Sequence, residues 1–314
     1  MTLLVTGSIA YDTIMVFPDR FRNHLLADQL HILNVCFLTP EMRREFGGTA
    51  GNIAYNLKLL GEEPLVMATV GEDSGPYLDR LRGFGLACDL VKQIPGQFTA
   101  QAFITTDLDD NQITAFHPGA MNYAHENHVT RELGAELAII APDGKEGMLQ
   151  HARECAEAGM RVMFDPGQGL PMFSGDELSR FIDLADYVAV NDYEGKLLEE
   201  RTGRRLDELA GRLEALIYTQ GAKGSLIMAN GKRHEIPCVK AEAVVDPTGC
   251  GDAYRAGLLY GIAQGWDWPS TGKLGSLMGA IKVASRGAQN HAASRDEIEA
   301  RFKRAFGYAP WKGQ

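Results

Sequence analysis

The chain has 314 residues, 45% of them apolar, which is ample for the core of one large α/β domain or two smaller ones. A formal net charge of -10 excludes a general binder of nucleic acid or of acidic membrane, since either needs a basic surface. Five cysteines, Cys36, Cys88, Cys155, Cys238 and Cys250, without C-x-x-C spacing, argue against a disulfide framework or a zinc site and for reduced, buried thiols.

The chain enters a strand, Leu3 to Thr6, with no basic leader, and no apolar run approaches the roughly twenty residues of a membrane span, so a cytoplasmic location is expected. Short apolar strands then alternate with amphipathic helices. A helix over Thr49 to Leu60 precedes a strand at Leu65 to Val70 and a helix at Gly75 to Arg82. Strands at Leu137 to Ala141 and Val162 to Asp165 flank a helix at Glu146 to Ala158. Strand Tyr187 to Val190, helices Asp192 to Arg201 and Leu206 to Leu213, and strand Ala215 to Thr219 follow, with a long helix at Gly272 to Arg286. Such alternation predicts a doubly wound, mostly parallel sheet covered on both faces, in a single domain over residues 1–314. Two stretches, about 13–40 and 99–117, carry strand-like residues with no helix between them. Within the second, Gln101 to Thr106 and Gln112 to Phe116 read as a hairpin around Asp107 to Asn111, so a small antiparallel β lid inserted in the core is expected; a pair of edge hairpins is the alternative.

The densest chemistry lies at Val245-Asp246-Pro247-Thr248-Gly249-Cys250-Gly251-Asp252. Pro247 ends extended structure, Gly249 and Gly251 allow a tight turn, and a helix begins near Asp252. Ala253, Ala256, Gly257, Tyr260 and Gly261 give that helix a close-packing face, and Leu258, Leu259 and Ile262 a second apolar one. Unpaired amides of residues 249 to 252 at a helix start favour an anion, and a transferring phosphate is the natural occupant. A glycine turn capping a core helix is the plain alternative, but a capping acid needs no glycine on both sides of a small residue.

The run Asp246 to Asp252 resembles the Asp-Thr/Pro-Thr/Val-Gly-Ala-Gly-Asp signature of the ribokinase-like (PfkB) carbohydrate and nucleoside kinases. A second motif of that family, Gly47-Gly48-Thr49-Ala50-Gly51-Asn52-Ile53-Ala54, stands about two hundred residues earlier, and two motifs in order are far more specific than one. The resemblance extends to Val5 to Asp12, Phe116 to Met121, Asn191 to Glu194 and Thr219 to Gly224, nearly the whole chain. The opening, the Phe116-His117-Pro118-Gly119-Ala120-Met121 segment and Pro247 are most similar to bacterial adenosine kinases of the mycobacterial type.

The resemblance implies ATP-dependent phosphorylation of the 5′-hydroxyl of adenosine, with ATP and Mg2+ and with a requirement for K+ left open. Asp252 is then the base, and the amides after Gly249, Cys250 and Gly251 form the anion hole. A carboxylate at a helix start is expected to stay ionised and to take its proton late. Cys250 stands where the family carries Ala and is given no chemistry of its own. Asn191 and Glu194 match the family's Asn-x-x-Glu, which implies a water-mediated magnesium contact at Glu194; an Asn cap with a helical Glu explains the same spacing. Thr219, Gly221 and Gly224 match its nucleotide-binding turn, with Gln289 a weaker match at the rim of the nucleotide-base pocket.

On the acceptor side the resemblance implies Asp12, Gly48 and Asn52 around the ribose, where a diol needs an accepting carboxylate, an amide and close backbone. Ser8 and Gln168, each after a core strand, are read as contacts to the purine edge, and Phe116 as its stacking face. The family's lid closes over the acceptor and supplies a homodimer interface. Ala102 and Cys36 depart from the aromatic and the serine of the mycobacterial type, which leaves a sugar kinase acting on ribose, fructose or a related compound as the competing reading. No G-x-G-x-x-G follows the first strand and no G-x-x-x-x-G-K-S/T occurs, against a dinucleotide oxidoreductase or a P-loop enzyme.

Overall fold

The computed structural model describes residues 1–25, 34–109 and 111–311. Residues 26–33 of the expected lid, and residue 110 in its hairpin turn, lie outside the described residues. In chain order the strands are β1 (Leu3–Thr6), β2 (Ala10–Val16), β3 (Glu41–Gly47), β4 (Leu65–Val70), β5 (Val91–Gln93), β6 (Ala100–Thr106), β7 (Gln112–His117), β8 (Leu137–Ile140), β9 (Arg161–Phe164), β10 (Tyr187–Asn191), β11 (Ala215–Thr219), β12 (Ser225–Ala229) and β13 (Lys232–Ile236). The helices are α1 (Thr49–Leu59), α2 (Gly75–Gly83), α3 (Lys145–Ala158), α4 (Gly175–Leu184), α5 (Asp192–Thr202), α6 (Leu206–Ala210), α7 (Cys250–Ala263), α8 (Trp268–Val283) and α9 (Arg295–Phe306).

Nine strands form one sheet in the order β13-β12-β11-β10-β9-β8-β1-β4-β5, parallel except where the β12–β13 hairpin joins antiparallel at one edge. Alternate residues of a strand covered on both sides feed opposite cores: Leu3 and Val5 of β1 join the layer of α1, α7 and α8, and Leu4 joins that of α3 and α4. This two-sided burial explains why the strands read as unbroken apolar runs. Among the described residues no helix is long and apolar enough to cross a membrane.

The turn that precedes Asp252 is held by the packing of α7 on α8. The glycines of α7 let two backbones meet: a Cβ at Gly257 would stand 2.6 Å from the Gly275 Cα, and one at Gly261 would stand 2.6 Å from the Thr271 hydroxyl. Helix α8 begins earlier than its apolar pattern suggests, because the Asp267 carboxylate accepts from the Ser270 amide at 2.7 Å and Pro269 fits the first turn. It also ends earlier, at Val283, and α6 stops at Ala210.

A second sheet, in the order β3-β2-β6-β7, stands apart from the first. The hairpin of β6 and β7 falls where the sequence places it, but the sheet is not wholly antiparallel, since β2 pairs with β6 in parallel. Strand β3 at Glu41–Gly47 is a further member beyond the expected segments; its alternation of charged residues with Met42 and Phe46 gave no core-strand signal. The thiols are all free, but Cys36 and Cys238 are exposed, which corrects the expectation of burial for these two.

Candidate active site

Gly249 caps α7 in the left-handed region, φ 77°, where a side chain is strained and a Cβ would stand 2.8 Å from that of Ala288. Asp246 shapes the turn before it: its carboxylate accepts from the Thr248 amide at 2.9 Å and the Gly287 amide at 2.8 Å. Burial opposes the charge of Asp246, yet these donors hold its carboxyl below the usual carboxylate range. The amide of Cys250 donates to Pro247 O at 3.1 Å, which removes it from the expected anion hole. The amides of Gly249, Gly251 and Asp252 meet no protein acceptor among the described residues, and the Gly251 α-carbon faces open space. The helix start therefore presents free donors to an anion. Burial pushes the Cys250 thiol up to about 11, so it is a poor nucleophile there despite the helix end.

Asp252 stands in the first turn of α7, partly open to solvent but surrounded by protein atoms. The Asn52 Nδ2 donates to its Oδ2 at 2.8 Å, across two hundred residues of sequence. Burial drives the Asp252 carboxyl up to about 7; the Asn52 amide and Arg255 oppose this, while the Asp165 and Asp12 carboxylates reinforce it. The helix start therefore does not keep Asp252 a weak base, as expected from the sequence, because desolvation outweighs the dipole. Behind it runs a buried relay. Gln289 Nε2 donates to Asn52 Oδ1 at 2.9 Å and to the Tyr77 hydroxyl at 2.6 Å, and Tyr77 donates to Gly47 O at 2.6 Å. Gln289 is 1% exposed, so it supports the wall behind Asn52 instead of standing at a nucleotide rim.

Beneath Asp252, one turn along α7, Arg255 is buried against two carboxylates that come from different strand ends. Its Nε and a terminal nitrogen each reach Asp165 at 3.1 Å, and the same terminal nitrogen stands 3.9 Å from Glu194 and 3.3 Å from Ala189 O. Burial works against the Arg255 charge, but Asp165 and Glu194 hold it protonated. Neither Arg255 nor Asp165 was singled out from the sequence; the signals were a cation inside an apolar helix and an acid just past a core strand. Asn191 and Glu194 form a reciprocal cap: the Glu194 amide donates to Asn191 Oδ1 at 2.8 Å, and the Asn191 amide donates to Glu194 Oε2 at 2.8 Å. Asn191 Nδ2 also donates to Glu194 Oε1 at 2.7 Å. Thr219 pairs with Asn191 in register, and Gly221 and Gly224 turn the chain next to them with φ 56° and 92°.

Asp12 projects from β2 in a cross-strand row with Glu45, Ala102 and Phe116. Burial raises its carboxyl to about 6, with Asp246 and Glu45 adding to the shift. Gly48, φ 85°, passes so close to the first strand crossing that a Cβ would stand 2.6 Å from Ala10 N and Ser8 O. Phe116 is 52% exposed on the outermost lid strand, on the Asp12 face. Ser8 departs from its expected role. Its hydroxyl accepts from the Thr49 amide at 3.1 Å and meets the Thr49 hydroxyl at 3.3 Å, so it fastens the start of α1 and is not free to read a purine. Gln168 is exposed on the short turn after β9. Another carboxyl at this sheet edge, Asp143, passed unnoticed in the sequence; burial pushes it up to about 8 against the Gly144 amide, and its Oδ2 has no partner.

A family model described as pfkB family carbohydrate kinase matches residues 14–295. A nucleoside kinase of Methanocaldococcus jannaschii is 33% identical over 273 residues, 86% of this chain and 90% of that protein. The structure of Burkholderia thailandensis nucleoside kinase in complex with inosine matches with a TM-score of 0.90 at 54% identity, covering 99% of this chain and 100% of that one. The ribokinase of Thermotoga maritima shares the fold, with a TM-score of 0.80 at 21% identity over 96% of this chain and 99% of that one. With the family model spanning the chain from the lid to the first residue of α9, the protein belongs to the PfkB family of carbohydrate kinases.

Proposed function

We propose that this protein is an ATP-dependent nucleoside kinase that transfers the γ-phosphoryl group to the 5′-hydroxyl of a purine nucleoside. The observation that carries this reading is the 2.8 Å bond from Asn52 to Asp252 at an open helix start, with Asp12 facing the same site from the lid. The γ-phosphoryl group rests on the amides of Gly251 and Asp252, and the rest of ATP extends toward Asn191, Thr219, Gly221 and Gly224. Asp12 accepts from the ribose diol beside the Gly48 backbone, the remaining Asn52 amide hydrogen serves the same sugar, and Phe116 stacks on the base. Asp252 orients the 5′-hydroxyl and removes its proton as the P–O bond forms and the bond to the ADP oxygen breaks. Gln168 is free to meet the base edge.

Both Glu194 oxygens already accept from Asn191, and a carboxylate keeps further lone pairs, so its position fits magnesium held through water. When bound, the ion neutralises charge on the ATP phosphates. A nucleoside kinase 54% identical to this chain is solved in complex with inosine, which supports an acceptor range that includes inosine as well as adenosine. A panel of adenosine, inosine, pyrimidine nucleosides, ribose and fructose in a coupled ADP-release assay tests this. The purine nucleosides are expected to give kcat/KM at least about tenfold above either sugar; a sugar in first place overturns the nucleoside reading.

The far side of the lid from Asp12 carries Met42, Phe103 and Ile113, which are 70%, 40% and 44% exposed, and this face is the homodimer contact. Sedimentation is expected to show a dimer for the wild type and a monomer for Phe103→Glu with Ile113→Glu; a wild-type monomer defeats this assignment. The exposed free thiols of Cys36 and Cys238 suit a reducing, cytoplasmic setting.

A further inference from the structure

Lys282 lies in the last turn of α8, fully buried, and the transfer chemistry above makes no use of it. A buried ammonium persists only where acceptors surround it. Its Nζ donates to Asp246 O at 2.7 Å and to Ser285 O at 3.1 Å, main-chain oxygens of two turns distant in sequence. The first turn, 246–249, delivers the open amides at the start of α7. The second, 284–288, lies directly behind it. Further bonds converge on the same seam: the Val245 and Asp246 amides donate to Val283 O at 2.8 and 3.1 Å, and the Gly287 amide donates to the Asp246 carboxylate. Carbonyl oxygens, a carboxylate and the negative end of α8 therefore meet at one point, and without a cation they repel one another. Burial pulls the Lys282 ammonium below the usual lysine range, and Asp246 acts against that pull.

We propose that the Lys282 ammonium is a built-in monovalent cation of the phosphoryl-transfer site, cross-linking the anion-hole turn to the end of α8 and freeing turnover from any dissolved monovalent ion. The inference rests on the kinase reading. It also bears on the potassium requirement left open by the sequence, since main-chain carbonyls, the kind of ligand a monovalent ion takes, already converge here on a lysine nitrogen. Lys282 is a positioning residue: it acts on the phosphoryl group through the amides of Gly251 and Asp252, whose placement depends on the turn it holds.

The experiment is a set of initial rates with saturating nucleoside and ATP in potassium chloride, ammonium chloride or tetramethylammonium chloride at equal ionic strength. Wild-type rates are expected to agree within about twofold across the three salts. Lys282→Met fills the space without charge and is expected to lower kcat about a hundredfold while the acceptor KM stays within about threefold, because misplacing an anion hole hurts the transition state. Lys282→Ala leaves a void, and its turnover is expected to rise about tenfold or more in ammonium or potassium over tetramethylammonium, a response the Met variant lacks. A wild type that needs potassium overturns the proposal, and that arm stands even if neither variant folds. A Met variant with wild-type kcat overturns it, as does a folded, slow Ala variant that ignores both small cations. No ADP release by wild type in any salt with any acceptor sinks the kinase reading, and the proposal with it.

Discussion

Asp252→Asn is expected to lower kcat about a thousandfold, within the range for loss of a general base, while the acceptor KM changes little. The substitution keeps the size of the side chain and, through its Oδ1, keeps an acceptor for the Asn52 amide, so the folded site persists without its base. The pH dependence separates this from a mere disturbance of packing. A base acts when deprotonated, and burial has raised the Asp252 carboxyl to about 7, so wild-type kcat/KM should fall as pH drops through that value, approaching tenfold per unit. Asp12, raised to about 6 and in the same field, shares the limb, which belongs to the pair and not to one residue. In the Asn variant the Asp252 part of that limb should vanish. Near-normal turnover by a correctly folded Asp252→Asn protein would remove Asp252 from the mechanism.

Arg255→Met should show its effect first in stability. The guanidinium stands between Asp165 and Glu194, all three nearly excluded from water, and its loss leaves two carboxylates facing each other in the interior. Breaking one side of such a cluster costs about 3–5 kcal/mol, and for a chain of this length the melting temperature should drop by about 5–10 °C. Asp165→Asn combined with Arg255→Met should recover part of the loss, because the second change removes one of the stranded charges. A single Arg255 variant that melts within a degree of wild type would show that the cluster contributes nothing.

The central strands were legible because a parallel strand buried on both faces must be apolar throughout, and Leu65–Val70 and Ala215–Thr219 match their apolar runs to the residue. The lid was harder to read. Strand β3 alternates charge with exposed or half-buried side chains, and its partner choice, like the parallel match of β2 to β6, depends on where the chain returns after crossing the main sheet. At the site, glycines announced the turn at Asp252 and the crossing at Gly48, because backbone proximity leaves a mark in the sequence. Side-chain direction leaves none: Ser8 turned to Thr49 and Gln289 to Asn52. The raised carboxyl of Asp252 was likewise beyond a local reading, since the rise comes first from burial under elements far away in the chain and then from Asp165 and Asp12, which arrive from distant strands.

The contact of Gly257 with the Gly275 backbone fixes more than the spacing of two helices. Two helices that touch main chain to main chain leave no side-chain layer between them to adjust, so any displacement of α7 carries α8 with it. On the kinase reading proposed above, the open amides at the start of α7 then rest on a two-helix unit, and Asp12 meets them from the separate sheet of β3, β2, β6 and β7.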